Sequence, residues 1–302
     1  MGIQLYKEPD LEKPMMIVGW PGIGNIGMVA VNSLKDILKA EEFGEIESWD
    51  FFYPRKVSIT DGLLEALEFP GNKFFYARAE KKDLIFFIGE EQPSVGGRMY
   101  ASGEKAYEMA NLVLDVGLRF GCRRVYTSGA CVSPIHHQTR PRVCAVVSSE
   151  GLKGEVRGYP NTIFMSDLER RSEGEGVITG LNGLLLGVAK RRGLEGVCLM
   201  GEIPDWLSGA SFPYPKASKS VLEVFAEILG IQVDLSFLDQ LEGQVEEMVE
   251  SFYAKFPPEM KAEYDQRKSV AHGKPGPITI QAKIYVDERL KKGGEGSGEG
   301  PS

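Results

Sequence analysis

Residues 15–33 read MMIVGWPGIGNIGMVAVNS, and few architectures accept such a stretch. An apolar run at 15–18 meets a glycine cluster. Apolar residues at helical spacing follow at once: Ile26, Val29, Ala30, Leu34, Ile37 and Leu38. That order is a buried strand, a tight turn and a helix N-terminus. Gly22, Gly24 and Gly27 have the spacing of a dinucleotide-binding fingerprint, with Asn25 among them, and free backbone N–H groups at such a turn converge on an anion. Glu45, Glu47 and Asp50 lie near the distance at which that fingerprint places an acid for the ribose. Pro21 is foreign to a dinucleotide turn, and small residues at a corner equally let helix and strand approach closely. The motif alone leaves phosphate binding and corner packing both open.

Beyond this corner, strand and helix patterns alternate. Segments 74–78 and 84–88 read as paired strands with a charged tip at 79–83. A helix is predicted over 104–120, with Ala106, Met109, Ala110, Val113, Leu114 and Leu118 inward. Strands are predicted over 124–128, 143–148 and 197–201, a turn and helix over 176–192, and a helix over 216–229. Such alternation predicts an α/β layered core with mixed strand directions. After Gly230 the character changes. Segment 234–256 is an acidic amphipathic helix with Leu235, Leu238, Leu241, Val245, Met248, Val249 and Phe252 on one face. Pro257-Pro258 stops it, and a short polar helix follows over 259–268. Periodicity is then lost, apart from a strand pattern at 278–286, and the end KKGGEGSGEGPS is expected to be disordered. The predicted organisation is a core over 1–232, a C-terminal helical extension over 233–270 and a flexible tail over 271–302.

The formal net charge of −8 argues against a broad nucleic-acid footprint, which needs clustered Lys and Arg, and against anionic membranes. No apolar run reaches the roughly 20 residues of a membrane span. The N-terminal MGIQLYKEPDLEKP has no apolar core of leader length, so no signal peptide is expected. Cys122, Cys131, Cys144 and Cys198 form no CxxC pair and read as reduced, mostly buried thiols of a cytoplasmic protein.

Several polar clusters are candidates for chemistry, each with a structural alternative. His136 and His137, five and six residues after Cys131, allow a Cys–His nucleophile pair, but read first as a polar loop between two strands. Glu202 and Asp205 follow a buried strand and suit acid–base work, sugar binding or backbone capping. Glu90 and Glu91 have the same ambiguity. Asn182 opens an apolar helix and reads as an N-cap or as a groove-facing amide. No metal ligand set and no cofactor are expected. The acidic helix stripe suits core packing or oligomer contact.

Together these segments resemble the PAC2 family, the proteasome assembly chaperone 2-like proteins of archaea and bacteria. The resemblance runs from about Leu5 to Asp239. It rests on MIVGWPGIGNIG, GEEQPS, RRVYTSGA, HQTRP, TGLNGLLLGVA and LMGEIPDWLSGASFPYPKAS, in that order. It implies a three-layer α/β/α sandwich with a mixed sheet, phosphorylase/hydrolase-like and not a Rossmann domain, and it implies no established catalytic residues. The implied role is binding of the proteasome α-ring, commonly through a C-terminal hydrophobic–Tyr–any tripeptide whose carboxylate meets a cationic group. This sequence closes on Gly300-Pro301-Ser302, and Ile284-Tyr285-Val286 is internal, which counts against docking of that kind.

The expectation is a non-catalytic, cytoplasmic, homo-oligomeric protein with proteasome α subunits as candidate partners. Its predicted contact surfaces are the acidic helix and the proline-rich loop 212–215, with Trp206, Phe212, Tyr214 and Tyr285 as contact residues. The alternative is a small-molecule hydrolase or transferase with a strand-end pocket lined by Gly22, Gly24, Asn25, Gly27, Asn182 and Glu202. A dinucleotide-binding protein is the third reading.

Overall fold

The computed structural model describes residues 2–79, 82–94, 101, 103–164 and 177–269. Tyr285, the strand pattern at 278–286 and the tail lie outside the described residues. Eleven strands occur among the described residues: β1 (Ile3–Leu5), β2 (Met15–Gly19), β3 (Glu41–Ile46), β4 (Lys56–Thr60), β5 (Leu63–Glu68), β6 (Asn72–Ala79), β7 (Lys82–Gly89), β8 (Arg124–Ser133), β9 (Val143–Val147), β10 (Thr162–Phe164) and β11 (Glu195–Pro204). The helices are α1 (Ile26–Ile37), α2 (Glu104–Arg119), α3 (Glu150–Arg157), α4 (Gly180–Arg191), α5 (Pro215–Leu229), α6 (Ser236–Ala254) and α7 (Pro258–Ser269).

Nine strands form one mixed sheet in the order β1-β3-β6-β7-β2-β8-β11-β9-β10. Its centre, β7-β2-β8-β11, is parallel, and antiparallel pairs flank it. All five residues of β2 are buried, as a central parallel strand covered on both faces requires. One face is covered by α1, α3, α5 and α6 through a cluster that includes Ile17, Ala30, Leu34, Leu199, Val221, Phe225 and Val249. The other is covered by α2 and α4 through Val18, Phe87, Met109, Val113, Leu114, Leu185 and Ala189. The chain is therefore a three-layer α/β/α sandwich.

Each strand and helix expected over the described residues forms, within a few residues of its predicted ends. Two details differ from the periodicity. Leu118 faces solvent at the end of α2, as Val116 and Gly117 turn inward instead. Met248 is exposed on α6, whose buried face is Leu238, Val245, Val249 and Tyr253. That face joins the same cluster as α1 and α5, so the extension packs on the body. The three-residue strand β1, the charged strand β3, the separate β4-β5 ribbon, α3 and β10 carry no clear sequence signal.

Candidate functional site

The glycine corner is built by close approach. A Cβ on Gly27 would stand 2.5 Å from the carbonyl carbon and oxygen of Ser128 in β8, so α1 lies against bare strand backbone. Gly24 has φ +57°, and a Cβ there would meet Ile203 Cδ1 and Tyr214 Cβ at 3.1 Å. Its carbonyl accepts the Tyr214 N–H at 2.8 Å, which fixes the start of α5. Asn25 is left-handed (φ +46°), and its side chain makes no capping bond. Nothing lies within 4 Å of a Cβ on Gly22.

The Ser128 carbonyl lies just beyond the last β2–β8 pair, Val18↔Thr127. Asn182 Nδ2 donates to it at 2.5 Å. Asn182 therefore sits inside α4, buried, tying the helix to the sheet; Thr179 holds the N-cap position where sequence had offered Asn182. Gln92 joins the neighbouring loops. Its Nε2 donates to the Pro21 carbonyl at 2.5 Å, and its Oε1 accepts the Leu181 N–H at 2.9 Å.

Glu202 is fully buried in β11, and both of its carboxylate oxygens are occupied. Arg142 donates to them from its backbone N, from Nε and from Nη2, each at 2.9 Å. The Glu202 N–H returns a bond to the Arg142 carbonyl at 3.0 Å. This two-pronged, charge-assisted pairing clamps the loop after β8 onto β11. Glu90 and Glu91 are also engaged, with Arg55 at 2.8 and 2.7 Å.

The two histidines lie in the loop between β8 and β9, as the sequence reading has it, but that loop is covered. They stack on each other with ring centroids 4.1 Å apart, buried beneath α6 and α7. Tyr253 packs tilted against His137 at 4.4 Å, and Trp206, Phe256 and Tyr264 complete an aromatic cluster. The Gln138 N–H donates to His136 Nδ1 at 3.1 Å, which leaves the ring proton of neutral His136 on Nε2, 3.4 Å from Asp265 Oδ1. His137 Nε2 is 3.1 Å from Glu250 Oε1. Burial, and then the neighbouring His137, push His136 down to about 4; burial also lowers His137. Cys131 packs in a separate cluster with Cys144, Leu186, Cys198 and Met200, which speaks against the alternative Cys–His pair. All four cysteines are buried and outside any disulfide, and burial pushes Cys198 to about 11 and Cys122 to about 12, which keeps these two thiols protonated and inert.

The cap is tied down at its far end. Arg267 of α7 donates to both oxygens of Asp205, at 3.2 and 3.0 Å, with both side chains buried. Burial pushes the Asp205 carboxyl up against the pull of Arg267. The contact residues expected around the 212–215 loop are thereby corrected. Trp206 and Tyr214 are each 3% exposed, because the C-terminal helices that sequence offered as a contact surface fold over them. Phe212 is half-buried and stacks on Phe252 of α6.

Fold and site together define a layered α/β/α scaffold whose strand-end acid and amide are held by internal partners and whose own C-terminal helices cap one face. The chain belongs to the PAC2 family: the family's model matches residues 16–252, which takes in most of α6. It is 30% identical over 251 residues to an uncharacterized protein of Methanocaldococcus jannaschii, covering 83% of this chain and 86% of that one. Among solved structures it is similar to Pyrococcus furiosus PbaB, an archaeal proteasome activator, with 32% identity and a TM-score of 0.68 over 83% of this chain and 98% of that one. It shares its fold with P. furiosus PbaA, an archaeal homolog of proteasome-assembly chaperone, at 23% identity and a TM-score of 0.58, over 82% and 95% of the two chains. No described helix is long and apolar enough to cross a membrane.

Proposed function

We propose that this chain is a non-catalytic protein-binding protein of the cytoplasm that assembles with copies of itself and engages proteasome α subunits. The observation that carries the reading is the consumption of the strand-end groups. Glu202 is spent on Arg142, Asn182 on Ser128, and the glycine turn on helix–strand contact. Membership of the PAC2 family and the similarity to PbaB over most of both chains support the choice of partner. The test mixes the full chain with purified archaeal α-rings and follows co-elution by size exclusion and native mass spectrometry. A complex supports the reading. Separate elution at tens of micromolar, with the ring intact, sinks it.

A second reading, a small-molecule enzyme with its pocket at the strand ends, has one observation in its favour. Trp20 Nε1, Asn72 Oδ1 and Asn182 Oδ1 are buried without a hydrogen-bond partner. Trp20 and Asn72 sit side by side against Gly89. A thermal-shift series with nucleotides and sugar phosphates separates the readings, since a ligand of the native state raises Tm by mass action. A dose-dependent rise that disappears in Asn182→Ala would favour the enzyme.

A further inference from the structure

The β4-β5 ribbon makes no ladder with the nine-stranded sheet. Every residue of β5 is exposed, and so are four of the five in β4. Among the described residues, none from 56 to 68 joins an apolar cluster of the body. Hydrophobic burial therefore does not fix the direction in which the ribbon points. Within itself the ribbon is tied. Asp61-Gly62 has the positive φ at both residues (+52° and +78°) that a two-residue hairpin turn requires. Ser58 Oγ donates to the Ala66 carbonyl at 3.3 Å, and Lys56 pairs with Glu68 at 3.1 Å.

One side chain joins this ribbon to the body. Arg55 belongs to the ribbon's base, where its N–H donates to the Glu68 carbonyl at 2.7 Å. Its Nε donates to Glu91 Oε1 at 2.7 Å and its Nη1 to Glu90 Oε2 at 2.8 Å. Among the described residues, no other hydrogen bond or ion pair runs from 55–68 to the rest of the chain. The receiving end is fixed. Glu90 follows β7 directly, its carboxylate also accepts the Gly71 N–H at 3.0 Å, and its own N–H donates to the Gly71 carbonyl at 2.9 Å. The chain leaving the ribbon is held as well. Phe69 packs on Trp49 with ring centroids 4.7 Å apart, and the Pro70 carbonyl accepts from Ser48 Oγ at 2.6 Å.

We propose that Arg55 with Glu90 and Glu91 is a charge-operated latch that sets the direction of the β4-β5 ribbon. Opening it lets the ribbon swing as a unit about residues 53–54 and 68–69, since a hinge needs only a few loop positions. The three side chains are 44–50% exposed. Ion pairs so exposed are weak and screened by salt, so the latch opens and recloses. One guanidinium forked onto two carboxylates gives the closed state a defined geometry. An apolar tie would supply no such response to salt. The latch stands apart from the α-ring reading and makes no use of it.

The test places nitroxide labels at Glu65→Cys in the ribbon and Lys190→Cys in α4 of the full chain, whose own four thiols are buried. The labelled chain is diluted into excess unlabelled chain, so that distances within one molecule are read. Double electron–electron resonance is expected to give one narrow distance at ~0.01 M salt, where charges are screened only beyond about 30 Å. At ~1 M salt, with screening at about 3 Å, the distribution is expected to widen about twofold or more. Arg55→Gln is expected to be wide at both salts. Lys7→Gln, which removes the exposed Lys7–Glu41 pair, is expected to match the parent. Amide exchange across 56–68 is expected to be the same in Arg55→Gln as in the parent. Three results overturn the latch: a narrow distribution in Arg55→Gln, equal widening in Lys7→Gln, or a parent already wide at low salt. Faster exchange across 56–68 in Arg55→Gln would mean that the ribbon melts instead of swinging, and overturns it too.

Discussion

Gly27 and Gly22 show how differently two glycines of one motif are used. At Gly27 a methyl group would have to share space with the Ser128 carbonyl at 2.5 Å, and neither the helix nor the strand backbone can yield cheaply. Alanine normally gains about 1 kcal/mol over glycine inside a helix. Here overpacking outweighs that gain, and Gly27→Ala is expected to cost about 2 kcal/mol net, a fall in Tm of about 4–8 °C. Gly22→Ala meets open space and is expected to change stability by less than about 0.5 kcal/mol. Calorimetry of the two variants checks this; equal effects would remove the packing account of the corner. The sequence spacing made the corner legible but left its two uses unresolved. Only the register, which sets the Ser128 carbonyl beneath α1, separates them.

The aromatic cap under α6 and α7 responds to acid in a direction the burial of its histidines sets. His136 has its ordinary value of about 6.5 in an unfolded chain and about 4 when folded. Between those values the unfolded chain binds a proton that the folded chain refuses, so stability falls as pH drops through that window and levels off below it. His137, also lowered, adds in the same direction. Allowing for the solvent around Asp265, the loss is about 1–2 kcal/mol, or a few degrees in Tm. Thermal melts from pH 7.5 to 5.5 test it: the decline should flatten in the double variant His136→Asn, His137→Asn. A slope indifferent to both substitutions would refute the assignment. Sequence did not reveal this element, because a helix more than a hundred residues downstream supplies its cover. The strands β3 and β5 were illegible for a different reason: EEFGEI, one strand in from the sheet edge, and LLEALE, in the exposed ribbon, mix charge with apolar residues. By contrast β2, β7, α1 and α2 carry uninterrupted apolar runs or helical stripes, and they form where those patterns fall.

For the molecule as a whole, the cap is part of the folded body rather than an attachment to it. Leu238, Val245, Val249, Tyr253, Phe256 and Tyr264 are all buried in the cluster that fills one face of the sheet. At roughly 1.5–3 kcal/mol per buried apolar side chain, their loss is on the order of an entire folding free energy. A chain cut after residue 232 is therefore expected to bind a hydrophobic dye and to lose its cooperative melt. A sharp transition within a few degrees of the full chain would show that the core stands alone. The middle of the assembly works the other way. Helices from opposite layers, α1 through Gly27 and α4 through Asn182, both seat on the single Ser128 carbonyl. A shift of either layer therefore disturbs the seat of the other.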